Sequence, residues 1–277
     1  SKREGQIEVA TFRQDAAYSD GRHPDSVTFS MPEHDAQRRD FTINGLFFDP
    51  LDERVIDFVG GQGDLAAKRL RAIGDPEARI DEDKLRMLRA VRFTATYELD
   101  IDPETLTAVQ RHANELQLVS AERIAEEMRR MLRHPQRTRA VELLRDSGLL
   151  PFVLPELQPM TSVESRWQRM LEILSLLGAD VSFSAALAVL LRDTDASVSP
   201  PSLAAEVAAR WRLSNDEQAR TKMLLKHEET VRQAARVPWP RAQRILILDG
   251  AEELVDYCAA VAQAAGDNPS DIDFCRA

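Results

Sequence analysis

Two cysteines in 277 residues, Cys258 and Cys275, cannot build a disulfide framework. Their scarcity excludes a disulfide-stapled secreted fold and points to a reducing cytoplasm. No apolar run approaches the roughly 20 residues that span a bilayer, and no signal-peptide pattern opens the chain. The pair Gly60-Gly61 lacks the Lys-Ser/Thr that would complete a phosphate-cradling loop, which excludes a P-loop. His23, His34, His112, His134 and His227 show no metal-ligand spacing and read as solvated or capping residues. There is no internal repeat, low-complexity tract or heptad array. Positive charge is also short: 36 Lys and Arg face 46 Asp and Glu, a net charge of −10 that alone argues against a nucleic-acid partner.

Apolar residues are not short. At 43% they suffice for a sizeable core and exclude a disordered chain, and abundant Ala, Leu, Arg and Glu favour helix. The charge is uneven. Arg123, Arg129, Arg130, Arg133, Arg137, Arg139 and Arg145 face only Glu126, Glu127 and Glu142 between residues 123 and 145. Screening lets such a local patch bind phosphates on an acidic body, with Arg129, Arg130, Arg133 and Arg137 as the candidates. A solvated helix face has the same pattern.

Residues 1–60 read as β-rich. Ile7-Glu8-Val9-Ala10-Thr11-Phe12 alternates like a half-buried strand, and 20–25 reads as a loop. Val27–Phe29, Phe41–Phe48 and Val55–Phe58 are further strands, the last closed by Gly60-Gly61. From about residue 80 the periodicity is helical, with Asp81 as N-cap and Glu82 and Asp83 in the first turn. Asp102-Pro103 opens another helix and Ser120 the next. A helix begins at Pro135 and stops near Gly148. Residues 151–159 form an apolar connector. Helices follow at 164–177, 183–193, 201–212, 214–235, 240–249 and 251–265, with Ser214 and Glu217 as a capping box.

Two segments are neither ordinary core nor ordinary surface. Arg38-Arg39-Asp40-Phe41-Thr42-Ile43-Asn44 sets two guanidiniums and a carboxylate at the mouth of a strand. Guanidiniums fork onto phosphate or ribose oxygens, and Asp and Asn pair with sugar hydroxyls; a structural salt-bridge cluster would look the same. In Glu82-Asp83-Lys84-Leu85-Arg86, continuing to Phe93, helical steps of three turn by about −60° each, so Asp83, Arg86, Arg89 and Arg92 share one side. An acceptor and a forked donor one turn apart can read a base edge; they can equally form a surface ion pair.

Together these segments resemble the class II tRNA nucleotidyltransferases and the related bacterial poly(A) polymerases. The resemblance covers about residues 5–160 well and the rest loosely. It implies that Arg39, Asp40 and Asn44 hold the ribose, that Glu82, Asp83 and Arg86 select the base, and that Arg89 and Arg92 serve phosphates or nucleotide. Asp57-Phe58-Val59-Gly60-Gly61 resembles the family's hinge between head and neck. Tyr18–Pro24, with Asp20 and Arg22, resembles its flexible loop, which leans away from a CC-only enzyme and from a typical poly(A) polymerase. Ile7–Arg13 resembles the strand after the metal aspartates, with Glu8 as a candidate third acid beside Mg²⁺. Ser120–Met128 resembles the helix that buttresses the selecting helix. In some family members a His-Asp phosphohydrolase module stands where this chain has Leu190-Leu191-Arg192-Asp193; Arg192 in place of histidine implies no hydrolase activity.

The implied fold is α+β: the remnant of a β-rich nucleotidyltransferase head (1–60), a helical neck with the selecting helix (61–150) and a helical, RNA-binding body (151–277). The implied reaction is template-independent addition of AMP, and of CMP as the further candidate, to the 3′ end of tRNA. It would use ATP and CTP with Mg²⁺ in a two-metal mechanism. The family's opening motif with its paired aspartates does not occur here, so the chain is expected to be a fragment missing its N-terminus and inactive alone. Poly(A) polymerase and a non-catalytic RNA-binding protein are the competing readings. Oligomeric state is left open.

Overall fold

The computed structural model describes residues 13–15, 27–29, 31–194 and 198–276. The strand expected over 7–12, with Glu8, lies outside the described residues, as do Asp20 and Arg22. Strands β1 (Arg13–Asp15) and β2 (Val27–Phe29) pair antiparallel. Helix α1 (Pro32–Gln37) starts with Pro at its first position and leads into the Arg38–Asn44 motif. Where one strand was expected over 41–48, only its second half is extended. Phe41 bridges Ala72, Asn44 N–H donates to the Phe41 carbonyl at 2.9 Å, and 42–45 close into a 3₁₀ turn. Strand β3 (Leu46–Asp49) then forms a hairpin with β4 (Arg54–Asp57), Leu46 opposite Asp57.

Helix α2 (Gly61–Ala66) and β5 (Arg69–Leu70) connect to α3 (Pro76–Glu82), α4 (Arg86–Thr96) and β6 (Asp100–Ile101), which pairs parallel with β5. Gly61 is required by contact: a Cβ there would lie 2.2 Å from the Thr42 carbonyl oxygen. Gly60, at φ +80°, makes the turn into it. The helix expected from Asp81 is two helices. Asp75 caps α3 by accepting from Glu77 N–H. Asp83 stops it with an extended backbone (φ −153°), and its Oδ1 accepts the Leu85 N–H at 3.0 Å.

The remaining chain is helical: α5 (Pro103–His112), α6 (Ala121–Leu132), α7 (Arg137–Asp146), α8 (Leu150–Val153), α9 (Gln158–Thr161), α10 (Glu164–Leu176), α11 (Phe183–Leu191), α12 (Pro200–Trp211), α13 (Asn215–Arg232), α14 (Trp239–Leu246), α15 (Ala251–Ala265) and α16 (Ser270–Arg276). The proline-punctuated 151–159 stretch is thus short helical turns in place of an open connector. Ser120 occupies the N-cap of α6 without a side-chain cap hydrogen bond. The capping box at α13 is formed: Ser214 Oγ accepts the Glu217 N–H, and Glu217 accepts the Ser214 N–H. The fold is α+β, a small β-rich piece followed by helices.

Helix α4 packs on α6 and α7; α13 is enclosed by α11, α12 and α15. One buried apolar cluster runs from Phe41 to Ile272 without a break at residue 150, where Leu149, Leu150, Val153 and Leu154 all belong to it. Among the described residues no helix is long and apolar enough to cross a membrane.

Candidate nucleotide-binding cleft

Asp40, only 6% exposed, organises the first side of the cleft. Its Oδ1 accepts the Phe41 N–H (3.0 Å) and Asn44 Nδ2 (2.7 Å). Its Oδ2 accepts Arg89 Nε at 2.6 Å, 49 residues along the chain. A carboxylate this buried needs such partners. The surrounding loop is pinned by backbone bonds, Thr42 N–H to the Arg71 carbonyl and Ile73 N–H to that of Asp40. It is braced by Asp64, whose Oδ2 accepts from Thr42 Oγ1 (2.7 Å) and Arg71 Nε (2.9 Å). Arg38 and Arg39 both pair with buried Asp35, and Arg39 also donates to the Asn44 carbonyl at 2.7 Å.

The second side is the break between α3 and α4. Asp83 Oδ2 accepts Arg123 Nη2 at 2.6 Å, so helix α6 holds this carboxylate. Arg86, the first residue of α4, donates from Nη1 to Glu82 Oε2 (2.5 Å) and to the Arg79 carbonyl (2.6 Å). Arg38, Arg39, Asp40, Asn44, Asp83, Leu85, Arg86, Arg89, Phe93 and Arg123 line a single cleft of about 580 Å³. The sequence-nominated ribose and base residues therefore converge, although Glu82 stands behind Arg86 and is not among these lining residues.

Arg92 does not join them. It lies over the Phe93 ring, 4.0 Å from its centroid, and donates to Glu127 Oε2 at 2.6 Å. The drift of a straight helix accounts for this: six residues beyond Arg86 the side chain has turned toward α6. Behind the break between α3 and α4, Lys84 pairs with Asp81 and Glu115, and His112 with Glu77 and Glu115. Desolvation opposes the charge on His112, but Glu115 and Glu77 prevail and hold its pKa above the ordinary histidine value. Lys84 is likewise raised by Asp81 and Glu115 against desolvation.

The arginine patch of 123–145 is mostly engaged in ion pairs and carbonyl contacts, and one of its members, Arg137, is buried. Arg137 is 2% exposed and donates to the carbonyls of Leu132, Leu174, Leu177 and Gly178. It is a staple between α6, α7 and the end of α10, and the expected RNA contact at Arg137 is corrected by its burial. Arg129 is bound by Glu217 through two bonds (2.6 and 3.0 Å), and Arg130 by Glu126. Only Arg133 of the four is exposed with no side-chain partner among the described residues. A one-dimensional count of charges could not separate arginines that face water from those that satisfy helix-end carbonyls.

Arg192 is also internal. It pairs with Glu228, whose Oε2 accepts the Tyr257 hydroxyl at 2.7 Å. Burial and the neighbouring Glu228 carboxylate raise the Tyr257 pKa. Arg192 thus fills a structural role.

The described residues do not fit Mg²⁺. Asp81, His112 and Glu115 could bring three ligand atoms within 4.8 Å of one another, but the Lys84 ammonium pairs with both carboxylates and the His112 ring with Glu115, so a cation would have to displace them. Asp40 is likewise neutralised by Arg89. The metal expectation rests on Glu8 alone, which lies outside the described residues.

The β-hairpin, the broken helix and the cleft they form can be set beside known proteins. A family model described as "Poly A polymerase head domain" matches residues 1–71, and "Probable RNA and SrmB- binding site of polymerase A" matches 98–161. The chain is 37% identical over 189 residues to a CCA-adding enzyme of Lactobacillus helveticus, covering 63% of this chain and 47% of that protein. It is 42% identical over 148 residues to the CCA-adding enzyme of Geobacillus sp., 53% of this chain and 36% of that one. The crystal structure of the Bacillus stearothermophilus CCA-adding enzyme in complex with CTP superposes with a TM-score of 0.73 at 25% identity, over 99% of this chain and 64% of that chain. Residues 1–71 and 98–161 thus match the poly(A) polymerase head and RNA-binding families, and the chain is similar to CCA-adding enzymes. It spans half or less of the length of these two curated relatives.

Proposed function

We propose that the protein adds nucleotides to the 3′ end of tRNA without a nucleic-acid template, taking ATP and CTP as substrates. The observation that carries this is the meeting, in one cleft, of Asp40 and Asn44 with Asp83 and Arg86. A sugar-binding pair thereby faces an acceptor and a forked donor suited to a base edge. In this reading Asp40 and Asn44 receive the ribose hydroxyls, Asp83 and Arg86 read the base, and Arg89 balances charge at Asp40 while facing the phosphates. The likeness to CCA-adding enzymes supports tRNA as the acceptor.

The test uses the full-length protein with Mg²⁺, labelled CTP or ATP and three RNAs: tRNA lacking CCA, tRNA ending in CC, and a short A-tailed RNA. Three defined additions to the first are expected. One A on the CC-ending tRNA alone would mark an A-adding enzyme, a long ladder on any RNA a poly(A) polymerase. No incorporation would overturn the proposal in favour of RNA binding alone. Arg86→Ala should blur selection among nucleotides by about tenfold or more, consistent with the loss of one charged hydrogen bond, while the fold survives.

A further inference from the structure

Arg79 lies outside the motifs on which the nucleotide reading rests, yet it joins them. Its guanidinium, with the side chain 16% exposed, donates from Nε to the Ile73 carbonyl (3.1 Å), from Nη2 to that of Gln37 (3.0 Å) and from Nη1 to Glu82 Oε2 (3.0 Å). Its own carbonyl accepts Arg86 Nη1 at 2.6 Å. The same Glu82 oxygen accepts both Arg79 and Arg86. The Arg86 side chain is only 10% exposed, and its remaining contact is a long one, 3.4 Å to the Arg38 carbonyl. Two of the three acceptors that locate Arg86 are therefore fixed by Arg79: one is its own backbone, the other a carboxylate it holds. Its third arm grips the last residue of α1, immediately before Arg38-Arg39-Asp40.

We infer that Arg79 is a positioning residue for base selection, setting where the Arg86 guanidinium stands relative to the ribose-binding motif. The inference rests on the proposed reading that Arg86 faces the base. A partly exposed glutamate held from one side keeps several rotamers; held from two sides it keeps one. Three acceptors in divergent fixed directions suit a planar guanidinium and not an ammonium. Small misplacements of a recognition group cost far more in discrimination than in folding.

The experiment measures kcat/KM for CTP and ATP against UTP and GTP on tRNA, using the full-length protein, Arg79→Lys, Glu82→Gln and Arg86→Ala, with a melting curve for each. Arg79→Lys should lower the ratio of correct to incorrect nucleotide about tenfold at nearly unchanged Tm, in line with the effect of a displaced positioning group. Glu82→Gln, which loosens the same link from its other end, should do the same even if Arg79→Lys fails to fold. A role confined to folding would scale all four nucleotides by one factor. An unchanged ratio in either folded variant overturns the inference. If Arg86→Ala lowers the ratio and the other two do not, only this inference falls; if Arg86→Ala leaves it unchanged, the proposed reading of Arg86 falls with it.

Discussion

Asp40 answers to both sides of the cleft, and its replacement should be felt in both. Asp40→Asn keeps the shape but turns the bond from Arg89 into a neutral-acceptor contact. Arg89 is 30% exposed, which limits the penalty, so a loss of about 2 kcal/mol is expected from urea unfolding. CTP and ATP affinity should weaken in the same variant. Arg137 separates stability from binding. Arg137→Met leaves four carbonyls without their charged donor and should cost about 3 kcal/mol. The salt dependence of tRNA binding should not change, because this guanidinium cannot reach a phosphate. Arg133→Ala should reverse the pattern, with a shallower salt slope at constant stability.

At the scale of elements, α3, α5 and the 3₁₀ turn after α5 meet at His112. The charged groups facing its ring are Glu77 and Asp81 from the α3 side, Lys84 beyond it, and Glu115 from the turn. The folded state raises the His112 pKa, so the protonated ring is the stabilising form. Its contribution is complete below the ordinary pKa of about 6.5 and is lost as pH rises through the raised value. His134 and His227, both lowered chiefly by desolvation, act in the opposite sense in wild type. The difference between wild type and His112→Gln cancels them, and should shrink steadily in unfolding experiments run from about pH 6 to about pH 9. Ser214→Ala should cost about 1 kcal/mol through the lost cap of α13. Most elements were legible in the chain: the capping box, Asp102-Pro103 and the 3.6-residue periodicity each predicted a helix that is present, within a few residues. The break at Asp83 was not, because periodicity continues across it, while an aspartate side chain folding back on the Leu85 N–H is a local alternative to the helical bond. The convergence of Asp40, Asn44, Asp83 and Arg86 was anticipated by family resemblance alone; spacing left it open. Arg79 was missed, though its offsets of three and seven residues from Glu82 and Arg86 were visible. Its partners at Gln37 and Ile73 are tertiary.

For the whole molecule, one buried cluster from Phe41 to Ile272 predicts one calorimetric transition. Two resolved transitions would mean that the residues before and after 150 hold separate cores. The centre of the body is α13, whose Glu228 holds Arg192 from before it and Tyr257 from after it in the chain. This arrangement has a consequence during synthesis. Until α15 has left the ribosome, the face of α13 that receives it stays wet, and the Arg192–Glu228 pair lacks the hydroxyl and the apolar cover that Tyr257 brings. Translation delivers roughly 5–20 residues per second, so α13 waits seconds for α15. Chains arrested with α15 still inside the exit tunnel should be cut readily by protease within residues 200–232, and those arrested well past Arg276 should resist.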